Sequence, residues 1–118
     1  MGTSAVDEVL VSAVRAMAEA SEAYKEVLGA NAERLREFAR RLEAGEDVVD
    51  ITRAVPGAPS RSDAKDASEV LNEARFQFRA RFVNACTEGG MSRKELAANM
   101  GMSPQIISRY LAAGHSQE

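Results

Sequence analysis

The 118-residue sequence contains no tryptophan, a single cysteine and a single histidine. One cysteine, Cys86, excludes a disulfide framework within the chain. With no second thiol and no histidine near it, Cys86 offers no metal-ligating set and reads as a buried, inert thiol. His115 follows Gly114 in a polar tail, where a solvated imidazole is expected rather than a base or a ligand. No apolar run approaches membrane-spanning length. Asp7 and Glu8 stand where the basic region of a secretory signal would lie, so a cytoplasmic protein without membrane attachment is expected. Constellations for catalysis are missing too. The carboxylates are scattered along helix faces as ion-pair partners, and Gly89-Gly90 lacks the lysine and hydroxyl of a phosphate-binding loop. The expectation is a non-enzyme that uses no cofactor and no metal.

What the chain does have is helical periodicity. Leu10, Val14, Met17, Ser21, Tyr24, Leu28, Asn31, Leu35, Phe38 and Leu42 fall at alternating spacings of four and three. Such a heptad seam, held over more than four repeats, marks a coiled-coil or bundle helix. Ser4 with Asp7 is suited to cap its start, and Gly45 to stop it. Beside the seam lie Val11, Ala13, Ala18, Ala20, Val27, Ala32 and Ala39, with Lys25, Arg34 and Arg41 as exceptions. Small apolar flanks widen the buried stripe, which suits a helix with two neighbours better than a free-standing zipper. Ser21 and Asn31 are polar residues within the seam and can fix its register. Gly29 lies on the outer face.

Between Glu46 and Ser62 the pattern breaks. EDVVDITRAV can form a short helix through Val48, Val49, Ile51 and Val55. PGAPSRS reads as a turn-rich linker, because Pro56, Gly57 and Pro59 interrupt a helix. A third helix is expected from Ser62 or Asp63 to Glu88, ended by Gly89 and Gly90. Its stripe is Leu71, Ala74, Phe78, Phe82, Ala85 and Cys86. Phe76 and Val83 lie partly off that stripe, so more than one face must be buried.

Residues 91–111, MSRKELAANMGMSPQIISRYL, spell two short helices joined by a glycine turn. Ser92 caps the first, Glu95 completes a capping box, and Met91 with Leu96 forms a staple. Ser103 caps the second, Pro104 takes its first position, and Met102 reaches Ile107. Gly101 supplies the positive φ of the turn. Leu96, Ala97, Met100, Met102, Ile107 and Tyr110 form the apolar set that locks the pair, with Ala97 at the closest crossing.

This pattern resembles the helix-turn-helix of bacterial repressors and activators of the Cro and λ-repressor kind. The resemblance is carried by Ala97, Gly101 and Ile107 with apolar residues at 96, 100, 102 and 110, and it covers about twenty residues. It implies that helix 103–112 enters the major groove of double-stranded DNA. By resemblance Ser103, Gln105, Ser108 and Arg109 point outward. Gln105 is suited to adenine, and Arg109 to guanine or a phosphate. Arg93 and Lys94 would touch backbone phosphates. Arg75, Arg79 and Arg81 either add charge or are simply solvated. Ile106 either meets a thymine methyl or packs on a neighbouring helix. Charge distribution fits this direction. The net charge is −3, but residues 1–70 balance to −5 and residues 71–118 to +2, so the basic excess falls in the half that holds the two helices.

The expected fold is therefore all-α. A long N-terminal heptad helix forms a dimerisation bundle, and a C-terminal helix-turn-helix follows. Residues 1–61 are assigned to the dimerisation region with its linker, and residues 62–118 to the DNA-binding domain. The expected function is a dimeric, sequence-specific transcription regulator, nucleoid-associated when bound, a homodimer or larger even oligomer through its N-terminal helix. The alternative is a helical adaptor or scaffold that uses its helix-turn-helix and long helix for protein–protein contacts. A second structural reading of residues 91–111 is an αα-hairpin of a bundle with no DNA role.

Overall fold

The computed structural model of the chain describes residues 7–116, with side chains through residue 113. The described residues form an all-α protein. Its helices are α1 (Glu8–Glu43), α2 (Val48–Ala54), α3 (Ala58–Glu88), α4 (Arg93–Met100) and α5 (Pro104–Ser116). The chain divides into two compact units. One comprises Met1–Ala18 with Asn72–Glu118, the other Glu19–Leu71. Both α1 and α3 contribute residues to each.

Helix ends follow local chemistry. The carboxylate of Asp7 accepts the Leu10 N–H at 3.0 Å, and the Asp7 carbonyl accepts the Val11 N–H at 3.0 Å. Asp7 thereby caps α1, while Ser4, the other residue expected there, lies outside the described residues. At the far end the Gly45 N–H donates to the Leu42 carbonyl and the Glu46 N–H to the Arg41 carbonyl. That pairing satisfies two of the carbonyls a helix end leaves open. Helix α2 starts on Asp47, whose side chain accepts the Val49 N–H at 2.9 Å.

Two boundaries differ from the sequence expectation. Helix α3 begins at Ala58 rather than at Ser62 or Asp63, with the Arg61 N–H bonded to the Gly57 carbonyl. Pro59 thus sits in the first helical turn, where a missing N–H costs no helix hydrogen bond. The linker contracts to Val55–Gly57. Helix α5 continues to Ser116, through Gly114 and His115, instead of ending near residue 112. A glycine near a helix end costs about 1 kcal/mol relative to alanine, too little to stop a helix by itself.

In the unit Glu19–Leu71, the buried residues are Ala20, Ile51 and Leu71. Along α1, the residues turned to the chain's own packing are Ala20, Tyr24, Val27, Asn31, Phe38 and Arg41, buried or half-buried, whereas Leu28, Leu35 and Leu42 are exposed. Half of the expected seam is used inside the chain, paired with the small flank rather than with the leucines. An alanine at the contact lets a neighbouring backbone approach closely, which a leucine there would prevent. Asn31 holds the start of α3 by donating to the Ser60 carbonyl at 3.4 Å, and Arg34 donates to the Ser60 hydroxyl. At the edge of that packing, half-buried Glu37 bonds Arg40 at 2.6 Å and Arg41 at 3.4 Å. The Arg40 guanidinium beside it, with Arg41, holds the Glu37 carboxyl below its ordinary range.

The other unit has its core at Val83, Leu96, Ala97 and Ile107, ringed by Phe82, Cys86, Met91, Met100, Met102, Tyr110 and Leu111. All six apolar residues expected to lock α4 onto α5 belong to it. Val83, expected at the margin of the α3 stripe, is fully buried, as is Ala80. In the same unit, Ser12, Ala13 and Ala16 of α1 share a groove with Gln77 and Arg81 of α3.

Candidate functional site

The candidate site is the outer surface of α4 and α5, and its geometry follows from two caps and one glycine. The Ser92 hydroxyl accepts the Glu95 N–H at 3.1 Å and fixes where α4 begins. Helix α4 ends at Gly101, whose φ of +66° is left-handed. No atom lies within 4 Å of where a Cβ would stand at Gly101, so the glycine answers to backbone conformation and not to crowding. The N–H groups of Gly101 and Met102 both donate to the Ala97 carbonyl, the latter at 3.0 Å, which turns the chain sharply into α5. Ser103 then starts α5, its hydroxyl accepting the Ile106 N–H at 3.3 Å and its carbonyl the Ile107 N–H at 3.2 Å.

The rotational setting of α5 is fixed by one side chain. Ile107 is 0% exposed, and Tyr110 and Leu111, three and four residues on, are half-buried on the same side. Gln105, Ile106 and Arg109 consequently lie on the exposed side, with Ile106 37% exposed. Gln105 and Arg109, four residues apart, share one patch of helix surface. Arg93 and Lys94 are exposed in the first turn of α4. Among the described residues no carboxylate pairs with Arg93, Lys94 or Arg109, so all three cations are open to a partner.

Two of the expected site residues have local duties. Ser103 is exposed, but its hydroxyl serves as the α5 cap. Ser108 is half-buried and its hydroxyl donates to the Pro104 carbonyl one turn back, at 3.1 Å. Each hydroxyl retains capacity for two further bonds, and the free surface consists chiefly of Gln105, Ile106 and Arg109.

Sequence reading left the role of Arg79 undecided. In the structure Arg79 donates to the Tyr110 hydroxyl at 3.2 Å, with its guanidinium carbon 6.0 Å from the Tyr110 ring centroid. Phe76 meets the same ring at a centroid distance of 5.7 Å. Together Phe76 and Arg79 bolt α5 to α3 through Tyr110, the residue next to the exposed Arg109. Their separation in sequence, 31 residues for Arg79 and Tyr110, left no local signal to find.

Among the described residues no cluster of histidine, cysteine or carboxylates is arranged to hold a metal ion, and no helix is long and apolar enough to cross a membrane. In the unit Glu19–Leu71, a groove of about 510 Å³ runs between α1 and the α2–α3 turn, lined by Arg34, Leu35, Phe38, Val55 and Arg61 among others. Comparison with models of known protein families, with characterised proteins and with solved structures finds no match to this chain.

Proposed function

We propose that the chain is a dimeric, sequence-specific DNA-binding protein that acts as a transcription regulator in the cytoplasm, at the nucleoid. The observation that carries this reading is the two-sidedness of α5. Ile107 anchors one face in the core while Gln105, Ile106 and Arg109 stand exposed on the other, the Gln105 and Arg109 side chains making no hydrogen bond or ion pair among the described residues, on a helix whose start is exposed. A helix of this width fits the major groove, where a glutamine pairs with adenine through two hydrogen bonds and an arginine with guanine. Arg93 and Lys94, at the start of α4, are suited to phosphates on either side of the groove. The basic excess is small, so one module makes few phosphate contacts, and two are needed for useful affinity.

The test separates readout from attraction. On a site selected from a random DNA pool, Gln105→Ala and Arg109→Ala should each cost about 1–3 kcal/mol and relax preference at one base position. Arg93→Ala and Lys94→Ala should weaken all sequences alike and lower the salt slope by about one unit. Identical effects of all four on selected and random duplex would refute the assignment of α5 as the reading helix. A chain that selects no sequence would instead favour the adaptor, in which exposed Ile106 anchors a protein partner.

A further inference from the structure

Helix α1 carries a second seam that the chain's own packing leaves open. Ser21, Lys25, Leu28, Ala32, Leu35, Ala39 and Leu42 fall at alternating spacings of four and three, and all but the half-buried Ala32 are exposed. Leu35 is 71% exposed, Leu28 48% and Leu42 45%. A leucine row this open in one helix is a surface that calls for a cover. The two sides of the row differ. On one side Glu22, Gly29, Arg36 and Glu43, seven residues apart, are all exposed; on the other Tyr24, Asn31 and Phe38 are half-buried by the chain itself.

We propose that this seam pairs with the same seam of a second copy in antiparallel orientation, with the two-fold axis beside Gly29. The proposal deepens the dimeric reading above and depends on it only for the existence of an α1 contact. In a parallel pair the charged flank of one helix faces the opposite flank of its partner. Here that opposite flank holds Tyr24, Asn31 and Phe38, already taken up by the chain's own packing, and offers no charge. In an antiparallel pair like flank meets like flank. Centred beside Gly29, Leu28 then faces Ala32 of the second copy and Ser21 faces Ala39, so large side chains meet small ones. Lys25 lays its aliphatic stem along Leu35 of the other helix and brings its ammonium to Glu33. Glu22 faces Arg36, twice by symmetry, and joins the Glu33–Arg36 ion pair already present within each chain. At the axis Gly29 has nothing within 4 Å of a Cβ position, which leaves room for the second backbone.

Charge also selects the register. Slipping the pair by one heptad in one direction sets Glu22 against Glu43, a like-charge contact repeated by symmetry. Slipping it the other way sets Glu22 against Gly29, with no charge to meet it. Only the central register matches the acid to a base.

Single cysteines placed in a Cys86→Ser background, joined by a short bis-maleimide, test the arrangement without DNA. Gly29→Cys should cross-link to itself, and Glu22→Cys should cross-link efficiently only when mixed with Arg36→Cys. Efficient self-linking of Glu22→Cys, or a monomer by sedimentation equilibrium at micromolar concentration, would overturn the proposal. Charge reversal gives a second, independent reading. Glu22→Arg or Arg36→Glu alone should weaken the dimer about tenfold at low salt, and the double variant should recover it. A double variant no tighter than either single one would also overturn it. Cross-links in a chain that ignores DNA would leave this pairing standing and refute the DNA reading alone.

Discussion

Adjacent isoleucines on α5 should respond to the same truncation very unequally, because the helix turns about 100° between them. Ile107 is 0% exposed in the cluster of Val83, Leu96 and Ala97, whereas Ile106 is 37% exposed. Ile107→Ala removes three buried carbons. At about 0.8 kcal/mol per methylene the transfer term alone is about 2.4 kcal/mol, and the cavity left behind adds to it. Met100 and Met102 pack against the cluster in which that cavity would open. Their unbranched side chains can partly fill it, which places the total at about 3 kcal/mol. Ile106→Ala removes carbons that already meet water and should cost about 0.5–1 kcal/mol. Urea unfolding followed by circular dichroism resolves the two. With a slope of about 1–2 kcal/mol per molar, the Ile107→Ala midpoint should fall by roughly 1.5–3 M, and the Ile106→Ala midpoint by roughly 0.25–1 M. Equal shifts, or a larger one at Ile106, would mean that α5 is rotated from the setting described. Gln105 and Arg109 would then no longer share an exposed face.

Three further outcomes follow from named contacts. Gly101→Ala should destabilise by about 1–2 kcal/mol through left-handed strain alone, since no atom is close enough to clash; a neutral result in the same unfolding assay would remove the turn from the argument. Tyr110→Phe deletes the acceptor for Arg79 while keeping the ring against Phe76, and should cost about 0.5–1.5 kcal/mol; no change in the unfolding midpoint would show that the hydroxyl contributes nothing. Glu37 has its carboxyl lowered by Arg40 and Arg41, so its contribution is present above the ordinary carboxylate range and is lost as pH falls through the depressed value. Acid titration of the Glu37 resonance by NMR should place its midpoint below the ordinary glutamate value, and Arg40→Ala should move it back up; an unchanged midpoint in that variant would refute the pairing.

The turn between α4 and α5 was legible because its chemistry is local. A serine hydroxyl three residues before an amide and a glycine at the left-handed position need no knowledge of the rest of the chain. Periodicity also marked α1, but it could not say what each side of the seam meets. Leu28 and Ala20 both fit an apolar stripe, and only packing decides that the alanine goes inside and the leucine stays open. The start of α3 was hidden by Pro59, which breaks a helix in its interior and is tolerated in its first turn. Ala80 is too small to stand out in a hydrophobic pattern, yet its size is what admits a neighbour. The Arg79–Tyr110 contact joins residues on different helices, and nothing in either neighbourhood announces it.

In the proposed function the exposed faces of α4 and α5 bind duplex DNA. Fluorescence anisotropy of a labelled random duplex, titrated with the full chain at low and moderate salt, tests it most directly. The predicted result is association at low salt that weakens steeply as salt rises, because Arg93, Lys94 and their symmetry mates displace counterions from phosphates. Absence of association at both salt concentrations would contradict it.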